Sequence, residues 1–152
     1  MVAVDSSIPA LSTAKLNAAS NRVEERVEIV KADAIEYMRE VAARNEMFDI
    51  VICDPPKLAP TRKDLERAVN KYTKINTHAM RIVRPGGLLL TCSCSAAMTQ
   101  STDGFVNMLQ EAARLARRDI TIVSKSGAGG DHPVHIAYPE SAYLTAVLVR
   151  VL

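Results

Sequence analysis

With 152 residues, 48% of them apolar and 24% charged, the chain has the make-up of one globular domain able to bury about two-thirds of its unfolded surface. No apolar run approaches the ~20 residues of a bilayer-spanning helix and no secretory leader pattern opens the chain, so a cytoplasmic location is expected. A formal net charge of +2 does not by itself announce a nucleic-acid binder, and three irregularly spaced cysteines argue against a disulfide framework.

Taken in order, the pattern alternates strand and helix. Val2-Ala3-Val4 is a short apolar run ending in Asp5. Pro9 suits a first helical turn, and residues 10–21 read as a helix. Residues 26–31 alternate as a strand does. Asp33 can cap a helix over 34–44, where Ile35, Met38, Val41 and Ala42 share a face. A buried strand over 48–53 breaks into Asp54-Pro55-Pro56, and a long amphipathic helix over 64–83 is closed by Pro85-Gly86-Gly87. A strand over 88–91, a helix over 104–115 and strands over 120–123 and 143–151 complete the chain. The loop over 126–140, rich in Gly, Pro and His, is long for a compact domain and therefore a functional suspect. Strand–helix alternation of this kind implies an α/β fold, a mostly parallel sheet with helices on both faces.

Chemistry gathers where apolar strands end in reactive residues, as at the carboxyl edge of an open α/β sheet. Asp5 and Asp33 each follow a strand and precede a helix. An acidic residue at the end of a first strand can accept hydrogen bonds from ribose hydroxyls, or either can simply cap its helix, with Ser6 and Ser7 able to do the same beside Asp5. In Asp54-Pro55-Pro56 the two prolines fix an extended backbone and hold the carboxylate in one pose. Cys94 sits where a strand opens into a loop, flanked by Ser93 and Ser95, and is a candidate nucleophile, whereas Cys53 reads as a buried, inert thiol. Cys92 and Cys94 would share a face of a strand. They are too few ligands for zinc, His132 and His135 complete no spacing, and no metal is expected. Lys57, Arg62, Lys63, Arg67, Lys71 and Lys74 form either a solvated helix face or a phosphate-tracking surface.

Asp5, Asp33, Asp54-Pro55-Pro56-Lys57, Pro85-Gly86-Gly87 and Ser93-Cys94-Ser95 together resemble the successive motifs of class I S-adenosylmethionine-dependent methyltransferases. More narrowly, the chain is similar to the bacterial large-subunit ribosomal RNA cytosine-C5 methyltransferases that carry an N-terminal PUA domain. The run Lys71-Tyr72-Thr73-Lys74-Ile75-Asn76, Asp131-His132-Pro133 and Tyr138-Pro139-Glu140 share in that resemblance.

The resemblance implies a Rossmann-like sheet with an antiparallel last strand, S-adenosylmethionine as methyl donor and ribosomal RNA as substrate. It places Asp5 on the donor's ribose hydroxyls and Asp33 on its adenine amino group, with Ser6, Ala34 and Pro55 as further donor contacts. Asp54 would lie between donor and base, Cys94 would be the nucleophile, and Pro56, Lys57 and Tyr72 would meet the RNA. Thiolate attack at cytosine carbon 6 makes carbon 5 enamine-like and able to take the methyl group, while an acid such as Asp54 protonates the ring nitrogen. Cys92 is a bystander in this scheme.

Two departures follow from the same comparison. Lys57 stands where some RNA cytosine-C5 methyltransferases carry a second cysteine. No glycine-rich turn precedes Asp5, and no PUA domain is present. The chain thus reads as one truncated methyltransferase domain over 1–152, the C-terminal part of a catalytic domain. The strands bearing Asp5 and Asp54 would then either pair directly or leave edges through which copies self-associate.

Other readings stay open. Asp-Pro-Pro also serves methylation of exocyclic nitrogens, although Lys57 occupies the place of the aromatic that usually follows. A non-catalytic module of the same fold is a third reading. A nicotinamide dehydrogenase is disfavoured, because no G-x-G-x-x-G precedes Asp5.

Overall fold

The computed structural model describes residues 1–59, 62–100, 104–138 and 141–152, with Arg62 described by its backbone alone. The Arg62 side chain, Pro139 and Glu140, named above, therefore lie outside the described residues. The chain divides into two compact units, 1–44 and 45–152.

In the first unit, strands β1 (Val2–Asp5) and β2 (Glu28–Lys31) pair in parallel, Asp5 opposite Lys31. Helices α1 (Ile8–Ser20) and α2 (Ala34–Ala43) connect and follow them, α1 packing on both strands and α2 on β1. Both begin with a cap that the sequence supplies. Ser7 Oγ accepts from the Ala10 N–H at 3.4 Å, and Asp33 Oδ1 accepts from the N–H groups of Ile35 and Glu36 at 2.9 and 3.1 Å. A three-residue 3-10 turn (Glu24–Arg26) occupies the start of the expected 26–31 strand, so β2 is the shorter element.

The second unit is a four-stranded sheet in the order β3-β4-β6-β5, built from β3 (Phe48–Cys53), β4 (Val83–Ser93), β5 (Ile120–Ser126) and β6 (Thr145–Val151). β3 and β4 are parallel, and the last strand runs antiparallel between β4 and β5. Period-two alternation sets one face. Leu89, Thr91 and Ser93 of β4 and Val147, Val149 and Val151 of β6 are fully buried. α3 (Leu65–Ile82) packs along β3 and β4 and against α5 (Gly104–Ala116), burying Ala68, Tyr72, Asn76 and Met80 of α3 with Phe105, Met108, Leu109 and Ala112 of α5. A single turn of helix, α4 (Ala96–Thr99), precedes α5.

Three differences from the sequence reading have physical reasons. β3 is not buried throughout: Ile50 and Ile52 are 58% and 68% exposed, because alternate residues point away from the face that α3 covers. Pro85-Gly86-Gly87 does not separate helix from strand. It lies inside β4 as an irregularity, where Phe48 pairs with Val83 but Ile50 pairs with Leu88. Finally, the strands bearing Asp5 and Asp54 belong to separate sheets. Each bonds its sequential neighbour within its own unit, β1 to β2 and β3 to β4.

Among the described residues no helix is long and apolar enough to cross a membrane. The β4 irregularity depends on its glycines. Gly86 has φ +81°, and a Cβ on Gly87 would stand 2.8 Å from the Asp49 carbonyl oxygen and 3.0 Å from that of Arg84. Gly87→Ala is expected to destabilise by about 1–3 kcal/mol through overpacking, and Gly86→Ala by about 1–2 kcal/mol through its left-handed backbone. Urea unfolding checks both, and unchanged midpoints would show that this segment yields freely.

Candidate active site

The parallel register places Cys53 opposite Thr91, so β3 and β4 run out at neighbouring points on the same edge of the sheet. Asp54 follows one strand and Cys94 the other. Cys94 Sγ lies 4.0 Å from Asp54 Oδ1, which brings together the two residues that the sequence reading put at the centre of the chemistry. Asp54 is exposed and Cys94 half-buried, so both are open to a ligand. Pro55 is buried and anchors the turn, while Pro56 and Lys57 are exposed beyond it. Of the basic cluster, Lys57, Lys63, Lys71 and Lys74 are exposed, and Arg67 pairs with Asp64 at 3.0 Å.

All three thiols are held above their ordinary range. Partial burial pushes Cys94 up, and the neighbouring Asp54 carboxylate adds to it by disfavouring a second negative charge. Burial, then Asp54, then Cys94 raise Cys92. Cys53 is pushed up to about 12 by burial first, then by Cys92 and Asp54, which fits an inert thiol.

Tyr72 is a correction. Expected to meet the RNA, it is fully buried, with its ring edge-on to Phe105 at 5.9 Å between centroids. Its hydroxyl accepts from Ser93 Oγ at 3.0 Å and lies 3.4 Å from Ser95 Oγ. Ser95 Oγ also accepts the Ala59 N–H at 3.2 Å, and the Ser95 N–H donates to Ser93 Oγ at 3.3 Å. Sequence reasoning noted Ser93 and Ser95 only as neighbours of Cys94. Their alternation about the cysteine was the available signal, because residues two apart in extended chain share a face. The partnership with Tyr72 spans 21 residues and leaves no local pattern.

In the first unit, Asp5 ends β1 and Asp33 follows β2, at the carboxyl ends of two paired parallel strands. Asp5 Oδ1 accepts the Ser7 N–H at 2.7 Å, its backbone carbonyl accepts the Ala32 N–H at 3.1 Å, and Ser7 rather than Asp5 caps α1. Asp33 caps α2. Both carboxylates are exposed, as is Ser6, and Ala34 is half-buried beside Asp33. An ionised carboxylate offers about four acceptor positions, so Asp5 and Asp33 keep capacity for a ligand. Asp131, His132 and Pro133 lie in the exposed loop that follows β5, where the His132 ring stacks edge-on to Tyr143 at 5.2 Å. Among the described residues no three His, Cys, Asp or Glu side chains cluster so as to hold a metal ion.

Residues 1–136 match the family described as a methyltransferase domain. The chain belongs to that family. Curated relatives include ribosomal RNA large subunit methyltransferase I of Photobacterium profundum, 43% identical over 145 residues, covering 95% of this chain and 36% of the relative. The protein of the same description from Vibrio cholerae is 39% identical over 155 residues, covering 100% of this chain and 38% of the relative. The chain thus spans little more than a third of the length of these curated relatives. Among solved structures, NSun6 from Pyrococcus horikoshii with SFG superposes with a TM-score of 0.67 at 18% identity, over 98% of this chain and 40% of that one. A Streptococcus mutans protein provisionally described as a SAM-dependent methyltransferase gives a TM-score of 0.78 at 18% identity, over 98% and 38%. Identities this low speak for the fold alone. Family and fold make this a Rossmann-like class I methyltransferase domain, the class whose methyl donor is S-adenosylmethionine.

The Asp54 carboxylate disfavours the Cys94 thiolate, so removing its charge lowers the thiol's pKa and raises the thiolate fraction near neutral pH. Asp54→Asn is expected to speed alkylation of Cys94 by iodoacetamide by about threefold or more, with the midpoint of the pH–rate curve moving down. Peptide mass spectrometry reports the rate at Cys94 itself. An unmoved midpoint would mean that the two groups do not sense each other.

Proposed function

We propose that the chain forms part of an RNA methyltransferase that makes 5-methylcytosine in ribosomal RNA through a covalent Cys94 adduct. The observation that carries this reading is the 4.0 Å approach of Cys94 Sγ to Asp54 Oδ1 at adjacent strand ends. The relatives' description as large-subunit ribosomal RNA methyltransferases supports the substrate class. On this reading residues 1–152 belong to one catalytic domain. Asp5 and Ser6 hold the ribose of S-adenosylmethionine, Asp33 and Ala34 its adenine, and Pro55 lines the donor's place. Pro56 and Lys57 face the RNA, Lys57 with the exposed ammonium groups of Lys63, Lys71 and Lys74 in the same unit. The donor supplies, when bound, a methyl group made electrophilic by its sulfonium.

The proton inventory explains the raised thiol. Asp54 stands within reach of the Cys94 S–H and can take its proton as the sulfur adds to carbon 6 of the cytosine. The proton then passes from Asp54 to the ring nitrogen, which draws the electrons displaced from the carbon 5–carbon 6 double bond into an enamine. Once carbon 5 has been methylated, loss of its proton to a base restores the carbon 5–carbon 6 double bond and expels the sulfur as thiolate, which regains its proton from the ring nitrogen through Asp54. Cys94 is thus kept protonated at rest and is activated only beside a base positioned to receive charge.

A large-subunit ribosomal RNA transcript carrying 5-fluorocytidine tests the adduct, because fluorine at carbon 5 cannot leave as a proton does. In the presence of S-adenosylmethionine the full chain should give a denaturant-stable protein–RNA band that Cys94→Ala abolishes. Methyl transfer that survives Cys94→Ala would refute the nucleophile and favour methylation of an exocyclic nitrogen. For the donor site, Asp5→Ala should weaken S-adenosylhomocysteine binding about tenfold or more in calorimetry, as expected for hydrogen bonds to a charged acceptor. Unchanged affinity would place the ribose elsewhere. Self-association through the edges of β1 and β3 is the remaining element of the reading, and a purely monomeric mass in light scattering would remove it.

A further inference from the structure

Cys94 owes its outward pose to the residues on either side of it. Ser93 and Ser95 are both fully buried, and Ser95 has the extended angles φ −108° and ψ 110°. In extended chain, neighbours on both sides that point inward turn the residue between them outward. Both serine hydroxyls meet the same group, the Tyr72 phenol, at 3.0 and 3.4 Å. The bond directions are consistent from end to end. Ser93 donates to Tyr72, Tyr72 can donate to Ser95, and Ser95 Oγ accepts the Ala59 N–H at 3.2 Å. Ala59 is itself buried and lies five residues after Asp54, in the segment that follows Pro55-Pro56. Ser95 Oγ therefore joins the segment after the cysteine strand to the loop of the aspartate, and the phenol holds Ser95 together with Ser93.

We infer that Tyr72 is a positioning residue for the methyl-transfer reaction: its buried hydroxyl clamps Ser93 and Ser95 and so fixes the Cys94 thiol outward, against Asp54. This rests on the reading of Cys94 as nucleophile but assigns Tyr72 a role separate from RNA contact. The clamp is well built for the purpose. A buried hydroxyl with no partner is costly, so Ser93, Tyr72 and Ser95 hold one another in a single arrangement. The supporting helix is anchored in turn: the Tyr72 ring packs edge-on to Phe105, and Asn76 Nδ2 donates to the Tyr72 carbonyl at 2.8 Å. Misplacement of a reacting atom by about 1 Å can cost about a hundredfold in rate, which is the scale on which such a clamp matters.

Tyr72→Phe in the full chain removes the hydroxyl and keeps the ring, and Phe105→Leu serves as a packing control that leaves the hydroxyl in place. The charged group acting on the Cys94 thiol is Asp54, at the end of β3, while Cys92, on its own strand, is itself raised in part by Cys94. If the clamp holds the thiol beside Asp54, Tyr72→Phe should move the midpoint of the Cys94 alkylation curve down, toward that of Asp54→Asn. The shift should vanish when both changes are combined. Methyl transfer should fall about tenfold or more in kcat with KM for RNA little changed. Phe105→Leu should lower the melting temperature without moving the alkylation midpoint. Equal midpoints for wild type and Tyr72→Phe, or a shift that persists in the Asp54→Asn background, would overturn the proposal. So would a loss confined to KM, which would return Tyr72 to RNA binding. The alkylation readout needs no methyl transfer, so methylation surviving in Cys94→Ala would defeat the functional reading while the clamp could still be read from the thiol.

Discussion

The parallel register of β3 on β4 is the constraint from which the site follows. With Cys53 opposite Thr91, the two strands leave the sheet side by side, and their first irregular residues carry the carboxylate and the thiol. A slip of one residue would do more than separate Asp54 from Cys94. Because side chains alternate, it would turn Leu89, Thr91 and Ser93 out of the interior and bring Leu88 and Leu90 in. The same burial that holds the sheet to α3 thus holds the chemistry in place.

That burial changes character along β4. Leu89 meets an apolar interior shared with Val149 of β6, whereas Thr91 and Ser93, nearer the carboxyl edge, bring hydroxyls into it. Ser93 finds Tyr72. Further along α3, Thr73 and Thr77 bond back to the carbonyls of Val69 and Thr73 at 2.9 and 2.8 Å, and Thr77 also reaches the Ala112 carbonyl of α5 at 3.3 Å. The layer is only partly paired, since Thr91 Oγ1 and Asn76 Oδ1 are buried without a hydrogen-bond partner, and it specifies one arrangement most sharply where its members do pair, as at Ser93 and Tyr72. Tyr72 brings that layer to the serines on either side of Cys94.

Much of this was legible in the chain. The alternation of apolar runs with amphipathic segments gave the α/β class and, within a few residues, most strands and helices. Asp54-Pro55-Pro56 and Ser93-Cys94-Ser95 stood out because reactive residues at strand ends are chemically conspicuous. Other features were hidden for identifiable reasons. Pro85-Gly86-Gly87 reads locally as a stop, and only pairing with Phe48 and Ile50 turns it into an irregularity within a strand. The exposure of Ile50 and Ile52 depends on which face α3 covers, which an apolar run does not encode. Tyr72 was placed at the RNA by the family resemblance alone, which says nothing of its burial. Its true environment is set by hydroxyls on β4, far away in sequence.

The central claim is that a cysteine adduct makes carbon 5 of cytosine the methyl acceptor. Its most direct test is to supply the full chain with ribosomal RNA labelled with tritium at carbon 5 of its cytidines and to follow tritium release beside methyl incorporation. Release should keep step with methylation, since restoring the ring's double bond requires loss of that hydrogen. Methylation without release of tritium would place the methyl group elsewhere and contradict it.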